Sequence, residues 1–204
     1  NSFGREQGFR PNPLFDPAWY GSAYPEFIRT HAHALLHYQE KGIFSGNAPC
    51  AEVAGLAKKP LLSVVTPVYN TDEALLRRCI HSVLFQAYPH WELCLADDGS
   101  DRPHVRRLLE EYTGRDPRIK VRFLEKNQGI AHASNSAAAL ASGEYLAFLD
   151  HDDELTRDAL YEVARAVNDH GADLLYTDED LINLESRHLD SFFKPDYNPE
   201  LLLT

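Results

Sequence analysis

The segment Glu144-Tyr-Leu-Ala-Phe-Leu-Asp-His-Asp-Asp153 joins an apolar run, Leu146 to Leu149, to three carboxylates, Asp150, Asp152 and Asp153. A buried parallel strand that ends this way delivers acid to the carboxyl edge of an α/β sheet, where open sheets bind their ligands. On an extended backbone Asp150 and Asp152 point to one side, and His151 between them points to the other. Two convergent carboxylates repel each other unless a cation lies between them, and a divalent ion holding a diphosphate meets that need. The plainer alternative is an acidic cap on the following helix.

Other apolar segments end in polar turns: Tyr69-Asn70, Asp97-Asp98-Gly99-Ser100, Asn127-Gln128-Gly129 and Asp178-Glu179-Asp180. In a parallel sheet such turns share one rim. Tyr69 could stack on a base, and Asp97 or Asp98 could accept from a pyrimidine N–H or a ribose hydroxyl. Gly99 permits a positive φ. Asp150 with Asp152 could hold Mg²⁺ or Mn²⁺ across two phosphates. The chain has no GxGxxG and no GxxxxGK followed by Ser or Thr, so it carries neither a dinucleotide fingerprint nor a P-loop.

Short apolar strands are expected over 61–67, 91–96, 119–124, 145–149 and 173–176. Helices should alternate with them. One runs from Thr71-Asp72-Glu73 to Gln86 with Leu76, Cys79, Ile80 and Val83 on one face. Another opens at Asp101 and Pro103 and carries Val105, Leu108, Leu109 and Tyr112. An Ala-rich helix spans Gly129 to Ala141, and a fourth is capped by Thr156 and closed by Gly171. This alternation predicts an α/β fold: a mostly parallel sheet with helices on both faces, over residues 60–204. Residues 1–59 read as a separate helical arm and linker. Asn1 to Pro13 is polar and loosely ordered. Asp16 caps a helix with Pro17 at its first position, and a second pattern runs from Pro25 through Phe27, Leu35, Leu36 and Tyr38 to Gly42. Residues 50–59 form the linker.

The net charge of −11 argues against a nucleic-acid partner, which needs a basic face. Cys50, Cys79 and Cys94 are odd in number and lack CxxC spacing. They read as reduced thiols in a cytoplasmic protein, Cys79 and Cys94 as small core residues. No apolar run reaches membrane-spanning length. A chain that starts at Asn1, contains no methionine and stops in the apolar run Leu201-Leu-Leu-Thr204 is expected to be a piece of a longer product. His33 and His37 share a helix face but lack a third ligand with helical spacing, so they read as packed or surface histidines. Arg77, Arg78, Arg102, Arg106 and Arg107 read as solvated helix surface.

The ordered set Thr66-Pro-Val-Tyr-Asn70, Trp91-Glu-Leu, Asp97-Asp-Gly-Ser100, Asn127-Gln-Gly129, Asn135, Gly143-Glu-Tyr145 and Asp150-His-Asp-Asp-Glu-Leu155 resembles the nucleotide-sugar half of bacterial family-2 glycosyltransferases. These are inverting enzymes of the GT-A fold, and the resemblance covers residues 60–204. The segment from Phe15 to Gly42 is similar to a helical element that precedes such domains in cell-surface polysaccharide enzymes.

The resemblance implies that Pro67 and Tyr69 line a base pocket and that Asp98, with Asp97, contacts base or ribose. It makes Asp150 and Asp152 the DxD pair, Asp152 being the stronger metal ligand. The turn from Asn127 to Gly129, with Asn135, shapes the diphosphate side. The donor would be a UDP-, dTDP- or GDP-sugar and the acceptor a saccharide or lipid-linked hydroxyl. The enzyme would be cytoplasmic, with a peripheral position at the inner face of the membrane left open. A carboxylate would deprotonate the acceptor while Mg²⁺ or Mn²⁺ stabilises the leaving diphosphate. In the family that base lies in an acceptor-binding half that would follow Thr204, and Asp178, Glu179 and Asp180 match its position poorly. The basic residue usual near the diphosphate is replaced by the neighbourhood of His132. Two other classes stay open. One is a non-catalytic nucleotide-sugar-binding module. The other is a haloacid-dehalogenase-like phosphatase, with Asp150 as nucleophile, Asp152 as acid and Lys194 as its downstream lysine.

Overall fold

The structure, a computed structural model, describes residues 14–25, 33–183 and 188–195. It divides into two compact units, Asn1–His170 and Gly171–Thr204.

The first unit is built on a four-stranded parallel sheet of β1 (Leu62–Val68), β2 (Trp91–Asp97), β3 (Ile119–Phe123) and β4 (Tyr145–Phe148), in the order β3-β2-β1-β4. β1 and β2 are buried at every position, as strands covered on both faces must be, and apolar side chains fill most of those positions. The helices are α1 (Pro17–Ala23), α2 (Ala34–His37, widening into a π-turn over Tyr38–Gly42), α3 (Ala51–Ala54), α4 (Glu73–Leu84), α5 (Pro103–Arg115), α6 (Ile130–Ala138) and α7 (Ala159–His170). Leu76, Cys79, Ile80 and Val83 of α4 and Val105, Leu108, Leu109 and Tyr112 of α5 are the apolar stripes expected from 3.6-residue spacing. They close one face of the sheet in a core with Leu62, Val64, Leu93, Leu95 and Leu160. On the other face Ala133 and Ala137 of α6 lie directly on Val65 and Ala96. Register places Leu146 beside Ser63 and Phe148 beside Val65, on the α6 side of the sheet. There they remain 47% and 70% exposed, because α6 packs mainly on β1 and β2.

Asp16 caps α1 as its spacing predicts, accepting from Ala18 N at 2.9 Å and Trp19 N at 3.0 Å, with Pro17 at the first position. Phe15, Tyr20, Tyr38 and Ile43 form a second cluster, and Phe85, just beyond α4, packs against it. His37 is buried there with Nδ1 3.0 Å from Tyr20 Oη. The segment read as a linker contains α3, whose Val53 enters the main core. Residues 1–13 and the positions Phe27 and His31 lie outside the described residues.

In the second unit the expected parallel strand over 173–176 does not form. The unit is instead an antiparallel hairpin of β5 (Glu179–Ile182) and β6 (His188–Phe192). Leu174, Leu175 and Tyr176 have strand-like composition but no ladder partner among the described residues, and all three are exposed. Tyr176 Oη donates to Pro195 O at 2.9 Å, and Lys194 N donates to Asp178 Oδ1 at 2.8 Å. Glu179 and Asp180 therefore lie inside β5, not in a turn that follows a strand of the parallel sheet.

One buried ionic cluster fastens the sheet at its amino-terminal end. Glu92, 5% exposed, accepts from Ser63 Oγ at 2.7 Å, Ser142 N at 2.5 Å and Ser142 Oγ at 2.8 Å, and pairs with Lys120 Nζ at 2.6 Å. Ser63 Oγ in turn accepts from Gly143 N at 2.9 Å. The cluster ties β1, β2, β3 and the turn before β4. Burial alone would raise the Glu92 pKa, but the hydrogen bonds from Lys120, Ser63 and Ser142 outweigh it and hold the carboxyl at about 2.

A depressed carboxylate pKa stabilises the fold above the unfolded value, 4.5 for this group, and that contribution disappears as pH falls toward 2. Glu92→Gln should cost about 2–3 kcal/mol at neutral pH. The gap between the two proteins should narrow between pH 4.5 and 2. Urea unfolding across that range measures it, and a gap of constant size would show that the cluster does not work through the charge of Glu92.

Candidate functional site

A cleft of about 230 Å³ opens at the carboxyl ends of the strands. The end of β1 contributes Pro67, Val68 and Tyr69, and the end of β2 contributes Asp98. The loop into α6 and its first turn supply Asn127, Ile130 and Ala133. The residues after β4 supply Asp150, His151 and Asp152. Of the residues expected from sequence, Pro67, Tyr69, Asp98, Asn127, Asp150 and Asp152 thus come together. Asp97, Gly129 and Asn135 are not among the lining residues, and neither is His132.

The ladder explains the first part of this arrangement. Val68 pairs with Asp97, and Asp98 N donates to Val68 O at 2.8 Å, so Tyr69 and Asp98 leave the sheet side by side. Tyr69 is 43% exposed, with its ring at the mouth of the cleft. Adjacent Asp97 and Asp98 have different tasks. Asp97 Oδ1 accepts from Ser100 N at 3.0 Å and closes its own turn. Asp98 lines the cleft while its two oxygens accept from Gln128 N and Gly129 N, both at 2.9 Å. Gly99 has φ +70°, and a Cβ there would lie 2.6 Å from the Lys126 carbonyl carbon. The turn after β2 and the loop before α6 therefore pack too closely for any other residue at that position.

Asn70 adds a second brace that the sequence motif did not assign. It has φ +49°, a region Asn tolerates better than most residues. Its N donates to Ser100 Oγ at 2.9 Å, and its Oδ1 accepts from Asp101 N at 3.0 Å. The available signal was Asn between a strand end and the helix cap Asp72.

The acidic segment differs from the extended-strand expectation. β4 stops at Phe148, and Asp153 N donates to Asp150 O at 3.1 Å, closing a tight turn. Alternation no longer applies within it. Asp150 and Asp152 both line the cleft, but so does His151, whose Nδ1 lies 3.2 Å from Asp152 Oδ1. The expectation that His151 faces away is corrected by this turn. Beneath it, Cys79 Sγ donates to Asp150 O at 3.4 Å. Burial, and then the carboxylates of Asp153 and Asp152, push the Cys79 thiol well up, so it stays a protonated donor.

The polar groups lining the cleft are the carboxylates of Asp98, Asp150 and Asp152, the Asn127 amide and the His151 ring, and among the described residues no Lys or Arg lines it. Among the described residues, no three His, Cys, Asp or Glu side chains are grouped closely enough to hold a metal unaided. Asp150 and Asp152 supply hard oxygen donors of the kind a divalent ion takes.

Gly99→Ala should destabilise the fold by about 1–3 kcal/mol, from the left-handed φ and the displaced 126–127 backbone. Urea unfolding checks this, and an unchanged midpoint would contradict the close approach.

The model of the family described as Glycosyl transferase family 2 matches residues 63–193. "Uncharacterized protein y4gI" of Sinorhizobium fredii is 50% identical over 151 residues, 74% of this chain and 17% of that protein. The O-antigen biosynthesis protein RfbC of Myxococcus xanthus is 42% identical over 151 residues, 74% of this chain and 12% of that protein. The chain thus spans only a small part of these relatives. Among solved structures, S. aureus TarS 1-349 in complex with UDP-GlcNAc aligns with a TM-score of 0.51 and 29% identity, over 55% of this chain and 32% of that one.

Proposed function

This chain belongs to glycosyl transferase family 2, and from that membership we propose that it is the donor-binding part of an enzyme that moves a sugar from a nucleoside-diphosphate sugar to a hydroxyl acceptor with inversion. The observation that carries this reading is the charge pattern of the cleft. An apolar and aromatic wall of Pro67, Val68, Tyr69 and Ile130 faces Asp150 and Asp152, with no side-chain cation between them. The wall suits a base and the carboxylate pair suits a metal-bound diphosphate.

In this reading Tyr69 supports the base. Asp98 keeps lone pairs for a base N–H or ribose hydroxyl while holding the loop at 128–129. Asn127, on that loop, borders the ribose and diphosphate. Asp150 and Asp152 hold Mg²⁺ or Mn²⁺, which when bound would neutralise the departing diphosphate. Among the described residues no carboxylate beyond Asp98, Asp150 and Asp152 lines the cleft, so in this reading the base that takes the acceptor proton comes from outside it. The UDP-GlcNAc in the TarS structure supports a nucleoside-diphosphate-sugar donor, and the name of RfbC supports a role in surface polysaccharide synthesis. UDP, dTDP and GDP are the nucleotides to distinguish. Among the described residues no helix is long and apolar enough to cross a membrane. The buried, unpaired Cys50, Cys79 and Cys94 fit a reducing compartment.

Calorimetric titration with UDP, dTDP and GDP, each with and without Mn²⁺, tests the reading. One nucleotide should bind with an affinity that Mn²⁺ raises, and Asp152→Asn should lower the affinity in Mn²⁺ by about tenfold or more. Binding that is indifferent to Mn²⁺ would remove the metal from the reading, and failure of all three nucleotides would overturn the donor site.

A further inference from the structure

The turn that carries Asp150 and Asp152 receives little support from its own strand. β4 has only four residues and lies at the edge of the parallel sheet, with its ladder ending at Phe148 beside Val65. Leu149 N donates to Val65 O at 3.1 Å, the last main-chain tie from this segment to the sheet among the described residues. Beyond that point the ties run to α4 and to Gln86 and Ala87 just past its end. Cys79 Sγ reaches Asp150 O at 3.4 Å, and Arg78 pairs with Glu154. Leu155 N donates to Ser82 Oγ at 3.1 Å. Gln86 Nε2 donates to Thr156 O at 2.6 Å, Ala87 N donates to Arg157 O at 2.8 Å, and Leu160 N donates to Gln86 Oε1 at 2.9 Å. Residues 79, 82 and 86 follow helical spacing along one edge, and their partners, Asp150, Leu155 and Thr156 with Leu160, run in the same direction.

Gln86 is the centre of this ladder. It is 2% exposed, and its carboxamide is fully used: Nε2 also donates to Ser82 O at 2.9 Å. It takes the capping position at the start of α7 that local sequence assigned to Thr156. A buried carboxamide satisfied on all sides fixes the geometry of the groups it joins, and its loss leaves the Leu160 N–H without its partner. Carboxylates on an exposed turn hold a divalent ion only as well as their backbone is fixed.

We propose that Gln86 and Ser82 are positioning residues for the diphosphate end of the cleft, holding main chain 155–160 against α4 and thereby setting where Asp150 and Asp152 stand. The proposal rests on the donor-site reading above.

Gln86→Ala and Ser82→Ala in the full chain separate the two ideas. Amide hydrogen exchange should accelerate across 150–156 in both variants, more in Gln86→Ala. The gain in UDP affinity on adding Mn²⁺ should fall by about tenfold. UDP binding without Mn²⁺ should change by less than about twofold, because the base wall is built from the end of β1 and the start of α6. Unchanged exchange at 150–156 would overturn the proposal. So would a full Mn²⁺ gain despite faster exchange, or an equal fall of both affinities, which is what general loosening produces. If Gln86→Ala does not fold, Ser82→Ala, which removes a single hydroxyl, decides on the same criteria. A parent chain that binds UDP with no gain from Mn²⁺ would instead remove the metal from the donor-site reading, and the exchange measurement would still decide whether α4 fixes the turn.

Discussion

A strand buried along its whole length can satisfy its main-chain N–H and C=O groups only through neighbours on both sides. β1 does this unequally. β2 accompanies it from Leu62 to Val68, whereas β4 accompanies it only from Leu62 to Val65. On the β2 side the chains therefore leave the sheet together, which sets Tyr69 beside Asp98. On the β4 side they part early, and the gap between Pro67–Tyr69 and Asp150–Asp152 becomes the cleft. The order β3-β2-β1-β4 makes this the point where successive connections turn to opposite sides of β1, the place where an open parallel sheet has room for a ligand.

What could be read from the sequence had local causes. The caps at Asp16 and Asp72 and the proline that opens α5 act within one helical turn, and the apolar stripes of α4 and α5 repeat within two. What could not be read depends on distant partners. Asp173 to Tyr176 has the composition of a strand, but a strand is a property of a pair, and this segment has no second member among the described residues. Asp97 and Asp98 are interchangeable on paper and differ only because the loop at 128–129 reaches one of them. His151 was assigned by an alternation that ends where the chain turns. Gln86 was merely the last residue of a helical pattern, since its partners Thr156 and Leu160 lie 70 and 74 residues away.

The distribution of charge completes the physical account of the cleft. The chain carries a net charge of −11, and several of its cations are engaged elsewhere. Arg77 and Arg107 both meet Glu73, Arg118 is held by Asp116 above the Trp91 ring, and Lys120 is taken by Glu92. The amino-terminal end of α6 would ordinarily attract an anion. Here the Asp98 carboxylate already sits against the amides of Gln128 and Gly129 at that end, so the favourable field of the helix is largely answered before any ligand arrives. In the donor-site reading proposed above, a diphosphate approaching Asp150 and Asp152 would meet negative charge and would have to bring its own cation. On that reading metal and nucleotide would bind as one event: each would raise the affinity of the site for the other by the same factor, because the coupling between two ligands is reciprocal.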